Sequence, residues 1–134
     1  MARISFAAAF LPALAAAALA PSPALAKEAP VTATPAGKPI DCILTRNIRE
    51  TRVRDDSTID FFMNNRKVYR NTLPYACSRL GFEERFGYRT TIGQLCSIDT
   101  ITVLQTAPSG IPGPTCGLGP FQPVTIAKAP KPAK

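Results

Sequence analysis

Four cysteines constrain this chain more than any other feature of its sequence. They stand at Cys42, Cys77, Cys96 and Cys116, and no two of them are close together. A structural zinc site usually takes its thiolates in close pairs, which this spacing does not provide. An even number of cysteines in a short chain predicts disulfides if the protein folds in an oxidising compartment. The compartment must therefore be inferred from the rest of the sequence.

Residues 1–26 have the pattern of a cleavable signal peptide. Arg3 supplies a positive charge, an almost entirely apolar run follows over residues 4–19, and the segment ends in Ala24-Leu25-Ala26. Signal peptidase recognises this order of charge, apolar run and small residues. A transmembrane anchor is the alternative, but the run is shorter than the roughly 20 residues that span a bilayer. We therefore expect cleavage near Ala26 and a periplasmic or secreted mature protein without a transmembrane anchor.

Export makes two disulfides the expected state of the four cysteines. We favour Cys77–Cys96 as a local link and Cys42–Cys116 as a link between the ends of the domain. The sequence leaves the other two pairings open. In a domain with a modest core, each disulfide typically contributes about 2–4 kcal/mol.

The composition divides the exported chain into a folded unit between two tails. Residues 27–39 contain three prolines and no apolar periodicity, and the basic segment 127–134 is similar. Such segments bury too little apolar surface to offset the entropy of ordering them. We therefore predict a proline- and alanine-rich linker at 27–39, a disulfide-stabilised domain at 40–126 and a basic proline-rich tail at 127–134.

Alternating residues predict antiparallel strands in the folded unit. In the clearest pattern, strands at 58–63 and 67–71 are joined by Asn64-Asn65, because asparagine tolerates the positive φ of tight turns. No helical periodicity of useful length appears. The fold class is therefore mainly β, a small antiparallel barrel or sandwich of about five to seven strands linked by two disulfides. Further strands are predicted at 50–54, 85–90, 95–104 and 121–126, a loop or short helical turn at 74–81, and a loop at 108–120.

The chain contains no histidine, which excludes several kinds of chemistry. Ser-His-Asp and Cys-His catalysis and histidine-based metal sites all require that residue. We predict no cofactor, no metal site and no catalytic residue. The alternative is a small envelope hydrolase that acts through carboxylates, with Asp60, Asp99 and Glu83 as candidates.

Basic residues give the strongest indication of function. The formal net charge is +7, which favours anionic partners. The alternative is an ordinary solvated surface, since Glu50 and Asp55 are interspersed among the basic residues. Export argues against nucleic acid and favours an anionic envelope component or another envelope protein. The residues predicted to form an anion-binding face are Arg52, Arg54, Lys67, Arg70 and Arg89.

Short motifs along most of the folded unit carry a resemblance to a known family. They are Cys42-Ile43, Arg46-Asn47-Ile48, Asp55-Asp56-Ser57-Thr58-Ile59-Asp60-Phe61, Tyr69-Arg70-Asn71-Thr72-Leu73, Cys77, Leu80-Gly81-Phe82, Leu95-Cys96-Ser97-Ile98-Asp99-Thr100-Ile101 and Cys116-Gly117-Leu118-Gly119. The chain resembles a family of small exported proteins of Gram-negative bacteria that carries only a domain-of-unknown-function label. The resemblance implies a four-cysteine exported domain with no established activity. We therefore expect a non-catalytic binding or structural protein of the cell envelope.

Overall fold

The computed structural model describes residues 31–90, 92–107 and 111–127. The predicted signal peptide and all but the first residue of the predicted basic tail lie outside these residues. Within the described ranges the protein is mainly β, with ten strands in antiparallel sheets, one short α-helix and one 3₁₀ turn. The predicted fold class is therefore confirmed, although the strands outnumber the five to seven expected.

The strands are short, and most connections between them are tight. The helix α1 spans Leu80–Glu83 and overlaps the end of the segment predicted as a loop or short helical turn, and the 3₁₀ turn spans Thr45–Asn47. The strands are β1 (Ala33–Pro35), β2 (Cys42–Leu44), β3 (Ile48–Asp55), β4 (Thr58–Met63), β5 (Val68–Thr72), β6 (Phe86–Tyr88), β7 (Gln94–Cys96), β8 (Thr100–Leu104), β9 (Pro112–Gly117) and β10 (Phe121–Ile126).

The strands form three sheets around one core. The largest has the order β1-β10-β5-β4-β3, a second has the order β6-β8-β9, and β2 pairs with β7. Apolar side chains from all three sheets and from α1 meet in one buried cluster, so the smaller sheets cover one face of the largest. The cluster consists of Ile43, Ile59, Phe61, Met63, Leu73, Cys77, Leu80, Leu95, Ile101, Val103, Leu118 and Phe121.

The predicted hairpin is present as β4 and β5. Ile59, Phe61 and Met63 alternate along β4 and are buried together, as the sequence pattern predicts. The turn differs from the prediction in one respect, because the positive φ falls on Arg66, at 65°, and not on an asparagine. The turn closes when the backbone N–H of Met63 donates to the carbonyl of Lys67 at 2.9 Å.

The favoured disulfide pairing is wrong. All four cysteines are bonded, but the pairs are Cys42–Cys96 and Cys77–Cys116. The cause is a turn inside the segment 95–104, which we predicted as one long strand. In this turn the Asp99 carboxylate accepts the Cys96 N–H at 2.7 Å, and the antiparallel pairing of β7 with β2 places Cys96 directly opposite Cys42.

Two predicted non-strand segments contain edge strands. The predicted loop at 108–120 holds β9, and the predicted linker at 27–39 holds β1, which pairs with β10 from Ala33 to Pro35. Both are edge strands of their sheets, where a proline removes no needed ladder hydrogen bond. Proline content therefore gave a wrong prediction at both places, and the first described strand begins at Ala33, before Ile40.

A buried polar contact joins β5 to the turn before β10. The side-chain amide of Asn71 is fully buried, and its Oδ1 accepts the Gly119 N–H at 3.0 Å while its Nδ2 donates to the Gly119 carbonyl. A Cβ at Gly119 would overlap the carbonyl oxygen of Thr72, so only glycine allows this approach. The contact holds the segment just before β10 against β5, the central strand of the largest sheet.

Candidate anion-binding face

The largest sheet has an inner face toward the core and an outer face on the opposite side. Because Ile59, Phe61 and Met63 point inward, strand alternation places Asp60 and Phe62 on the outer face. None of the residues found in the core cluster lies on this face. The outer face is therefore where the largest sheet can meet a partner.

Two rows of side chains cross the outer face. The first row joins directly opposed residues of β3, β4, β5 and β10, namely Arg52, Asp60, Arg70 and Gln122. The second row lies next to it and consists of Glu50, Phe62, Val68 and Val124. Opposed residues in a sheet are close enough for their side chains to interact. The outer face thus has a charged row beside a mostly apolar one.

Asp60 is the centre of the charged row. Its carboxylate is fully buried and accepts hydrogen bonds from Arg70 Nε at 2.8 Å, Arg70 Nη2 at 3.0 Å and Arg54 Nε at 2.8 Å. Arg54 reaches the same face because it lies two residues from Arg52 along β3, and alternate residues of a strand share a face. Burial opposes ionisation, but the bonds from Arg70 and Arg54 outweigh it and lower the pKa of Asp60 below its usual range.

Both arginines remain partly exposed. The Arg54 and Arg70 side chains are 15% and 21% exposed. Among the described residues, Arg54 bonds only through Nε and Arg70 through Nε and Nη2, so other guanidinium nitrogens are available. The two guanidiniums carry one more charge than the Asp60 carboxylate, and Asp55 offsets part of this excess through its electrostatic interaction with Arg70. Guanidinium edges fit phosphate or carboxylate oxygens, so this cluster can hold an anionic group.

Arg52 lies where the charged and apolar rows meet. Its Nε donates to Glu50 at 2.7 Å, and its guanidinium lies over the Phe62 ring at 5.4 Å from the centroid. The hydrogen bond from Arg52 lowers the pKa of the exposed Glu50. Arg52 is therefore partly neutralised, and it contributes less charge to the face than the sequence alone suggests.

The remaining predicted basic residues lie elsewhere. Lys67 is exposed in the β4–β5 turn, next to Arg66, at the end of the sheet. Arg89 follows β6 in the three-stranded sheet and is not part of the outer face. The structure therefore brings Arg52, Arg54 and Arg70 together and leaves Arg89 apart. Sequence analysis did not identify the role of Asp60 in grouping them, because the register of three strands must be known first.

The carboxylates considered for hydrolysis are engaged in structural bonds. Glu83 accepts the backbone N–H and the hydroxyl of Thr106, both at 2.9 Å, and Arg79 Nη2 at 2.7 Å. The bonds from Thr106, with a smaller contribution from Arg79, lower the pKa of Glu83. Asp99 accepts the Cys96 N–H, and Asp60 is bound by two arginines. General acid catalysis works best with a pKa near the operating pH, and lowered values oppose that role.

The described residues show no metal site and no membrane-spanning helix in addition to this face, and comparison with known proteins assigns no family. The described ranges contain no group of three or more residues that could hold a metal ion. In the same ranges, no helix is long and apolar enough to cross a membrane. Comparison of the chain with family models, curated proteins and solved structures finds no match. The resemblance to a family of small exported proteins therefore stays a prediction.

Proposed function

We propose that this protein is an exported, non-catalytic binding protein of the cell envelope, and that its outer face holds an anionic group of its partner. The proposal is carried by the convergence of Arg54 and Arg70 on the buried Asp60. Two disulfides are compatible with folding outside the cytoplasm. The pattern of residues 1–26 supports export.

Asp60 prepares the two arginines for binding. An arginine side chain loses rotamer freedom when a ligand immobilises it, and this loss opposes association. Here the carboxylate already fixes both guanidiniums by hydrogen bonds of 2.8–3.0 Å. The available nitrogens can then contact an anion at a smaller entropic cost. Because the arginines are partly exposed, the interaction should weaken as salt rises.

Binding fits the carboxylates better than hydrolysis does. Glu83 and Asp99 support backbone turns, and Asp60 is covered by its two arginines. A hydrolase of this kind needs one carboxyl group that keeps its proton near neutral pH. The lowered pKa values of Asp60 and Glu83 favour the opposite state.

The partner class that we propose is an anionic lipid or glycolipid of the envelope.

Vesicle sedimentation of the mature form tests this function. We expect binding to mixed phosphatidylglycerol and phosphatidylcholine vesicles, no binding to phosphatidylcholine alone, and weakening as salt is added. Replacing Arg70→Gln should weaken binding about fivefold, since one cation near an anionic surface contributes about 1 kcal/mol. Asp60→Asn should also weaken binding although it makes the net charge more positive, because the two guanidiniums are then no longer held in place.

Arg89→Gln is the matched control, because it removes the same charge from a different sheet. Circular dichroism confirms that each variant remains folded. Equal weakening by Arg70→Gln and Arg89→Gln would show that only total charge matters, and the outer face would then not be the site. Absence of binding to both vesicle types would contradict the proposed partner class.

A further inference from the structure

An apolar groove lies at the end of the outer face. β10 pairs with β5 only as far as Val124 and beyond that only with β1, so β10 and the β4–β5 turn separate. The resulting open groove has a volume of about 620 Å³. Phe62, Val68, Val124 and Ile126 contribute apolar side chains to it.

This apolar surface is separate from the protein core. Val124 is buried, with 7% of its surface exposed, yet it is not part of the core cluster. Phe62, Val68 and Ile126 are half-buried and do not pack against that cluster. They therefore stabilise the core little, and they leave apolar surface where a ligand can cover it.

Two cations border the groove. Arg66 and Lys67 both line it, and neither side chain forms an ion pair within the described chain. The described lining of the groove contains no acidic residue. An apolar floor with positive charge at its rim is complementary to a molecule with an apolar chain and an anionic head.

The conformation of Arg66 points to the same conclusion. Its φ of 65° lies in the left-handed region, where a residue with a Cβ is disfavoured and glycine is not. The third position of a three-residue hairpin loop commonly adopts this conformation and favours glycine. The only other non-glycine residues with positive φ in the described ranges are Arg79 and Glu84, which flank α1. A long cation therefore occupies a position that the turn alone would give to glycine, and it faces the groove.

We infer that this groove binds a single-chain amphiphile with an anionic head. The chain lies along Phe62, Val68 and Val124, and the head contacts Arg66 and Lys67. The inference adds a second binding site on the same sheet. It rests on the proposed function only for the location of the protein outside the cytoplasm. The Asp60 cluster and the groove are separated along β5 by the step from Arg70 to Val68, so variants can address each one by itself.

Calorimetric titration with octyl phosphate, ethyl phosphate and octyl glucoside tests the inference. All three are used as monomers, below any micelle-forming concentration. Octyl phosphate should bind at least tenfold more tightly than ethyl phosphate, because each buried methylene contributes about fourfold. It should also bind more tightly than octyl glucoside, which has the same chain and no charge.

Two variants locate the site. Arg66→Gly should lower octyl phosphate affinity several-fold while leaving the melting temperature unchanged or higher, because glycine relieves the left-handed backbone. Val68→Thr keeps the side-chain shape, adds a hydroxyl to the groove floor and should also lower affinity. Arg89→Gln, in another sheet, should leave affinity unchanged.

The outcomes separate this inference from the proposed function. Equal affinity for octyl and ethyl phosphate would overturn the inference that the groove binds an amphiphile. Vesicle binding that Arg70→Gln weakens would still support the proposed function of the Asp60 cluster. Unchanged octyl phosphate affinity in Arg66→Gly and Val68→Thr would also overturn the inference. Sedimentation equilibrium gives a third outcome. A dimer of the original protein that dissociates in Val68→Thr would overturn the inference, since a second copy of the chain would then occupy the groove.

Discussion

On the inner face of the largest sheet, Phe61 and Phe121 meet edge to face with ring centroids 5.4 Å apart. On the outer face, the neighbouring residue Asp60 holds two guanidiniums, and Phe62 lies under Arg52. The same strands therefore carry two different kinds of surface. The inner surface is covered by the smaller sheets and α1, whereas the outer surface keeps exposed charge and a groove.

The difference separates stability from recognition. Inner side chains are removed from water by the protein itself, so each contributes to the free energy of unfolding. Outer side chains such as Arg70 and Val68 are half-exposed, and a ligand can remove them from water further. Substitutions on the inner face should therefore affect folding, and those on the outer face should mainly affect binding.

The largest expected difference is between Phe61→Ala and Phe62→Ala. Phe61 is fully buried, and its truncation should cost about 3–5 kcal/mol of the free energy of unfolding. Phe62 is half-buried outside the core cluster, and its truncation should cost about 1 kcal/mol or less. Urea unfolding of the two variants makes the comparison within one strand. Equal losses would show that the outer face is as much a part of the folding core as the inner face.

A smaller difference is expected between two amide side chains, Asn71 and Gln122. Asn71→Ala leaves the buried N–H and carbonyl of Gly119 without partners and should cost about 1–3 kcal/mol. Gln122 donates to the carbonyls of Gly37 and Pro123 near the surface, and Gln122→Ala should stay within about 0.5 kcal/mol. Thermal unfolding monitored by circular dichroism measures both. A small loss in Asn71→Ala would mean that water replaces its contact with Gly119.

A further stability effect should come from Asp60, and it should depend on pH. Its pKa in the folded protein is below the ordinary value of 3.8, so its contribution is present above that value and is lost as pH falls through the folded pKa. Asp60→Asn should destabilise the protein by about 1 kcal/mol at neutral pH, because water screens the partly exposed arginines.

Urea unfolding at several pH values tests this dependence. The difference between the original protein and Asp60→Asn should shrink at acidic pH. Glu50 and Glu83 also have lowered pKa values, but both proteins share them, so the difference isolates Asp60. A difference that does not change with pH would mean that the ion cluster contributes nothing through its charge.

Local patterns were enough to predict the hairpin and the fold class. The alternation of Ile59, Phe61 and Met63 needs only the period of a strand, and the two asparagines mark the turn region. Disulfide bonding of all four cysteines also followed from their number and the expected compartment. These predictions succeeded because each depends on neighbouring residues or on a property of the whole chain.

Long-range pairing was not predictable in the same way. Cys96 meets Cys42 through the pairing of β7 with β2. The turn at Asp99 separates β7 from β8, and an aspartate inside a run of β-branched residues is a weak signal for such a turn. Pro35 and Pro112 suggested loops, although edge strands tolerate proline. The site shows the same division. Its basic residues were recognised, but the grouping of Arg54 with Arg70 depends on the pairing of β3, β4 and β5, which places Asp60 between them.

The position of β10 has a consequence for the timing of folding. β10 lies in the interior of its sheet, between β1 and β5. The disulfide Cys77–Cys116 also cannot form before Cys116 is present. Pairing between distant segments is slow, because a long loop must close before any contact rewards it. If the protein is exported as proposed, with its N-terminus first, the largest sheet cannot be completed until β10 has crossed the membrane. The strand order then leaves the sheet unfinished during transport, and folding ends in the compartment that receives the chain.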